Sequence, residues 1–193
     1  MRKLILKISI CTFLIIGNMS CSQEEVTQNP PLLENFTLDL SKSKLGTPLI
    51  LFKYENKDQL INNINQSFIQ IMKDAQDMII KSNEISEVVT ELQFSNNIAA
   101  IIRVTYFDEN KNGITYKLNA NTNKYERSPS SHLAKCPDGY SLLASCSNFD
   151  GTKECVASAV GQFLTENISG VGNCANIQVS VGTFSTKVCG KTC

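Results

Sequence analysis

Tryptophan is absent from this 193-residue chain, histidine occurs once, and no two cysteines form a Cys-x-x-Cys pair. Without Trp the chain lacks the broadest aromatic platform for stacking a sugar ring. Tyr54, Tyr106, Tyr116, Tyr125 and Tyr140 remain, and each reads more simply as a core or sheet-face residue. The lone histidine, His132, sits beside Pro129, Ser130 and Ser131 in a linker-like stretch. A serine or cysteine nucleophile therefore has no imidazole placed to activate it. The missing Cys-x-x-Cys removes the thioredoxin and haem-attachment signatures. Charge of one sign is also lacking, with 18 basic and 18 acidic residues and no basic cluster. That pattern has no cationic footprint for a phosphate backbone, so nucleic acid is not expected as a partner. The longest uncharged apolar run, residues 8–16, is about half of the roughly 20 residues that a membrane-spanning helix needs.

What that short run does fit is an export signal. Arg2, Lys3 and Lys7 form a basic head, Ile8 to Ile16 an apolar centre, and Gly17-Asn18-Met19-Ser20 a small and polar end before Cys21. The stretch Gly17-Asn18-Met19-Ser20-Cys21 resembles a lipobox, with Ser20 as the small residue before the cut. Cys21-Ser22-Gln23-Glu24-Glu25 resembles the acidic surface-export signal of Bacteroidota-type lipoproteins. The resemblance covers the first 25 residues. It implies removal of 1–20 as a signal peptide, a diacylglycerol thioether on Cys21, and a membrane partner reached through that lipid. The implied location is the outer membrane of the cell, lipid-anchored; a secreted or periplasmic protein is the alternative.

Cysteine usage points to the same compartment. Of eight cysteines, Cys11 leaves with the signal and Cys21 would carry lipid, so six remain: Cys136, Cys146, Cys155, Cys174, Cys189 and Cys193. An even remainder in an exported chain is what a disulfide framework requires. Fifteen pairings are open to six cysteines, and sequence does not choose among them. A zinc site built on His132 and Cys136 is disfavoured by the oxidising compartment. No metal and no cofactor is expected. After processing the chain would keep 15 basic and 18 acidic residues, three negative charges net.

The mature chain divides by composition. Residues 21–46, with Pro30, Pro31 and many polar residues, read as a lipidated tether, with a short edge strand over Phe36, Leu38 and Leu40 as the alternative. Residues 47–127 hold no cysteine. There Leu49 to Tyr54 reads as a strand, and Asn56 with Gln59 offers a capping box. An apolar stripe follows, from Leu60 through Ile61, Ile64, Phe68, Ile71, Met72, Ala75 and Met78 to Ile79, on a helix of about 25 residues. The period then changes to two: Val88, Thr90, Leu92 and Phe94, then Ile102, Val104 and Tyr106, then Ile114, Tyr116 and Leu118. Asn96-Asn97 and Asn112-Gly113 mark the turns. The expectation is an α+β fold, one long helix packed on an antiparallel meander. That plan resembles cystatin-like domains in architecture alone, and many functions use it. The cystatin signature Gln-x-Val-x-Gly finds only Gln178-Val179-Ser180-Val181-Gly182, outside this segment. Residues 128–135 read as a linker, and 136–193 as a small disulfide-rich α+β module. In that module Lys153 to Asn167 is helical, and Ile177 to Val181 pairs with 184–188.

Two motif fragments fail on inspection. Asp108-Glu109-Asn110-Lys111-Asn112-Gly113 begins like a calcium loop, but Thr115 and Asn119 stand where an aliphatic residue and a bidentate glutamate belong, so a hairpin turn is favoured. Gly190-Lys191-Thr192 lacks the earlier glycine of a phosphate loop, Ser185 standing there. With no catalytic constellation, the chain is expected not to be an enzyme. The reading is a lipid-anchored envelope protein with a noncatalytic binding or structural role toward a protein or small-molecule ligand. The alternatives are an inhibitor of exported proteases and a carboxylate-dependent hydrolase.

Overall fold

A computed structural model describes residues 38–39, 49–131, 136–148, 151–168 and 173–193. The export signal, Cys21, His132 and nearly all of the tether lie outside the described residues. Of the tether's alternative strand, Leu38 is described, as a fully buried residue in a bend.

Asn56 starts the long helix. Its side chain accepts from the Gln59 N–H at 2.9 Å, and Gln59 Oε1 accepts from the Glu55 N–H at 2.8 Å. The second bond reaches one residue before the cap, so the capping box closes around Glu55 rather than Asn56. The helix, α1, runs Lys57–Lys81. It buries Leu60, Ile64, Phe68, Ile71, Met72 and Ala75 along the expected stripe, while Ile61, Met78 and Ile79 stay half-buried. Burying one such large side chain is worth roughly 1.5–3 kcal/mol.

The strands are β1 Leu49–Lys53, β2 Glu87–Ser95, β3 Ile98–Phe107, β4 Asn112–Asn119, β5 Lys124–Ser131, β6 Ser141–Ser147, β7 Ala175–Gly182 and β8 Ser185–Thr192; the second helix, α2, is Thr152–Asn167. All eight strands join one antiparallel sheet in the order β5-β4-β3-β2-β7-β8-β6, with β1 paired to the far end of β3. The fold is α+β, with a sheet larger than the expected meander. Strand β2 pairs with β7 over eight residues, Glu87↔Gly182 to Phe94↔Ala175, so the sheet crosses from the cysteine-free half into the cysteine-rich one. The linker expected at 128–135 is in part strand, since β5 extends to Ser131 against Asn112. Its polar, Pro-containing composition suits a sheet edge as well as a loop. Strand β6 is not expected from the sequence, because Ser-Leu-Leu-Ala-Ser-Cys-Ser carries neither clear alternation nor β-branched residues.

Register places Val88, Thr90, Leu92 and Phe94 on one face with Val104, Ile101 and Ala99 of β3 and with Val181, Val179, Ile177 and Ala175 of β7. Both helices pack on this face in one continuous core. The expected place of Ile102 in the core stripe is corrected by a bulge: Glu91 faces Arg103 and Leu92 faces Ile101, so Ile102 is the extra residue. Asn96 and Asn97 both take positive φ in the β2–β3 turn, as the hairpin signal implies. The next turn differs. Positive φ falls on Lys111, and Asn112-Gly113 already belong to β4. Gly113 is required for space: a Cβ there would lie 2.5 Å from a ring carbon of Phe107.

Candidate functional site

The six C-terminal cysteines pair as Cys136–Cys189, Cys146–Cys155 and Cys174–Cys193. They are structural. Cys136–Cys189 fastens the chain before β6 onto β8, Cys146–Cys155 ties β6 to the first turn of α2, and Cys174–Cys193 joins the start of β7 to the chain end. With loops of 53, 9 and 19 residues closed, each bridge restricts the unfolded chain by roughly 2–4 kcal/mol. Among the described residues no group of three or more His, Cys, Asp or Glu could hold a metal ion, and no helix is long and apolar enough to cross a membrane.

The site with room for a ligand lies at the C-terminal end of α1, where the 82–85 connection meets the β3–β4 hairpin. It is a cleft of about 1140 Å³. Met78, Ile85, Tyr106, Phe107, Ile114 and Tyr116 supply apolar and aromatic wall. The Tyr106 and Tyr116 rings meet edge to face, centroids 5.9 Å apart, and the Tyr106 hydroxyl donates to the Leu38 carbonyl. Asp39, Asp74, Asp77, Glu84, Asp108 and Glu109 supply carboxylates, against Lys81 as the single cation among the described lining residues.

These carboxylates are held differently. Asp77 pairs with Lys81 at 3.0 Å. Asp108 Oδ1 accepts the Asn112 N–H at 2.8 Å and so shapes the hairpin. Asp74 Oδ1 accepts from Gln70 Nε2 at 2.7 Å, whereas its Oδ2 is buried with no hydrogen-bond partner among the described residues. Burial pushes the Asp74 carboxyl above its ordinary value; the Gln70 hydrogen bond opposes the rise and the nearby Asp77 charge adds to it. The spacing 70, 74, 77, 81 lays these four polar residues beside the apolar stripe of α1. In the sequence that spacing reads as a solvated helix face; in the fold Asp74, Asp77 and Lys81 line the cleft together with Tyr106, Phe107, Ile114 and Tyr116 of β3 and β4.

A second polar constellation occupies the sheet face turned away from the helices. Glu91 on β2, 5% exposed, pairs with Arg103 Nε at 3.3 Å and accepts from the Tyr140 hydroxyl at 2.5 Å. Lys191 on β8 lies 4.6 Å from the Tyr140 ring centroid. Burial first, then the Glu91 hydrogen bond and charge, raise the Tyr140 phenol well above its ordinary range. The chain from Cys136 to Tyr140 is thereby pinned across the sheet by a disulfide at one end and a carboxylate at the other. Its groups pair with one another across three strands, and we read this constellation as a brace.

Of the five tyrosines, Tyr54, Tyr116 and Tyr125 are buried as core or sheet-face residues; Tyr106 and Tyr116 also line the cleft. Gly190-Lys191-Thr192 lies in β8. The chain matches no family model, and no curated protein or solved structure is similar to it.

Proposed function

We propose that the protein is a lipid-anchored component of a bacterial cell envelope that binds a ligand in the α1–hairpin cleft without transforming it. The observation that carries the reading is the cleft itself, with its ligand-sized volume, aromatic wall and excess of carboxylates. Such a lining favours a ligand with an apolar body and a positively charged group, since carboxylates gathered in a partly enclosed cleft attract cations more strongly than they would in open water. Three disulfides support an oxidising compartment. Lipid on Cys21, the outer-membrane location and the tether of 21–46 belong to the same proposal.

One observation favours a second reading, the carboxylate-dependent hydrolase. Asp74, its carboxyl raised by burial, stands one helical turn from Asp77, and two neighbouring carboxyl groups of which one is held above its ordinary value are the parts from which an acid–base pair is made. Asp77 is held by Lys81, however, which leaves it poorly placed as a base.

The test is a calorimetric titration of the full chain with the blocked tripeptide Lys-Phe-Lys, with Gln-Phe-Gln as neutral control. Binding of the first only, weakened about tenfold or more by Asp74→Asn, is expected for loss of one cleft charge contact. Equal binding of both peptides, or none at millimolar concentration, refutes the cleft as a cation-selective site. Release of cleaved product in the same samples would transfer the case to the hydrolase. Intact mass of membrane-extracted chain, with and without Cys21→Ala, reads the anchor independently.

A further inference from the structure

The two outer strands of the sheet are built unlike one another. Strand β5 carries Lys124, Glu126, Arg127 and Pro129, the residues that keep an open edge from pairing with another chain. Strand β6, Ser141-Leu142-Leu143-Ala144-Ser145-Cys146-Ser147, carries no charge and no proline; its one interruption is a bulge at Leu143, which leaves Ala144 to Ser147 regular, and among the described residues it pairs only with β8. Leu142 on it is 60% exposed. We propose that β6 is a self-association edge, pairing antiparallel with β6 of a second copy of this chain about a twofold axis and making one sheet across two molecules.

The occupant is argued from geometry. An antiparallel pair of identical strands is self-complementary, and this strand brings no like charges together. Helix α2 must be accommodated as well. It lies over β6 and β8 about equally. Its Cys155 is bonded to Cys146, and a Cβ on Gly190 would lie 3.1 Å from the Phe163 ring, so α2 runs antiparallel to β6 with its middle over the strand's middle. Strands are about 4.8 Å apart, which puts the α2 axis roughly half a spacing inside β6 and the twofold axis half a spacing outside it. The two α2 helices then stand about 10 Å apart, within the packing range for helix pairs. Ser158 and Gln162, exposed and on the stripe that carries Cys155, face across the axis. Both are small or uncharged. Glu166, in the last turn of α2, falls beside the first turn of the second copy's α2, whose dipole offsets in part the like charge that Glu154 carries there.

The test is the mass of the full chain, disulfides oxidised, by sedimentation in mild detergent from about 1 to about 100 µM, a range that brackets a micromolar dissociation constant. A dimer is expected within it. Ser145 is exposed, close to the axis and opposite Lys187 of β8, so Ser145→Lys is expected to give a monomer that still unfolds in one cooperative transition, and an equal mixture of S145K with S145E to restore the dimer. A monomer throughout overturns the proposal; so does a dimer indifferent to S145K, or a monomeric S145K that S145E cannot rescue. Binding at the cleft, at the other end of the fold's logic, is read separately by the tripeptide titration.

Discussion

Two side chains on α1 are placed against their own chemistry. Ser67 is fully buried, and its hydroxyl finds no partner among the described residues. Ser67→Ala removes an unsatisfied polar group and raises helix propensity, so it should stabilise the fold by about 1 kcal/mol. Urea unfolding with an unchanged slope would check it; destabilisation would mean that the hydroxyl has a partner. Asp74 is the second. Its carboxyl is raised by burial in the folded state, so the folded chain holds that proton more tightly than the unfolded chain does. Ionisation then costs stability as pH rises from the unfolded value through the folded one, and nothing below the unfolded value. Asp74→Asn should therefore stabilise the protein at neutral pH and lose that advantage near about pH 3. The gain should stay under about 1 kcal/mol because the residue is partly exposed. A variant that is more stable yet takes up the cationic tripeptide about tenfold more weakly would separate the cleft's role from the fold's needs.

At the scale of elements, the contact between α2 and the sheet depends on a missing side chain. Gly190 in β8 lies beneath Leu143 and Phe163, and a Cβ there would stand 2.8 Å from one and 3.1 Å from the other. Gly190→Ala must lift α2 or twist both side chains, a cost of about 1–3 kcal/mol. Thermal unfolding reads it, and Phe163→Leu in the same chain should recover part of the loss by shortening the ring. Neither the need for glycine nor its neighbours were visible in the sequence, where Gly190 looked only like a fragment of a phosphate loop. The legible parts were those with a strong period or a local signal: α1 from its stripe, β2 and β4 from alternation, and the β2–β3 turn from Asn96-Asn97. The rest was set by distant partners. Ile102 was displaced from the core by a bulge that only the β2 register reveals. The second half of β5, Ser128 to Ser131, reads as a linker because an edge strand is polar by necessity. The cleft escaped for the same reason, since its carboxylates become a site only when the hairpin folds over them.

At the scale of the molecule, the question is whether the cysteine-free half can stand without the cysteine-rich one. Strand β2 is central, paired on one side with β3 and on the other with β7. Removing β7, β8 and β6 would expose β2 as an edge and strip Val88, Leu92 and Phe94 of Val181, Ile177 and Ala175 beside them. The core residues of α1 and α2 belong to one contiguous cluster, with Val156, Val160 and Leu164 in contact with it. No seam in that packing would let one half melt first. All three disulfides nevertheless sit in the second half, and together they contribute several kcal/mol by restricting its unfolded chain. Reduction should then lower the unfolding temperature of the entire protein while leaving a single transition, because stability lost in β6–β8 is lost to β2 as well. Far-ultraviolet circular dichroism, which reads all strands and both helices, and tyrosine absorbance, four of whose five reporters (Tyr54, Tyr106, Tyr116 and Tyr125) lie in the first half, should move together under reducing conditions. If tyrosine absorbance kept its native transition while half of the dichroism was lost earlier, the shared sheet would be a contact between two independent units, and the binding cleft could be studied on the first of them alone.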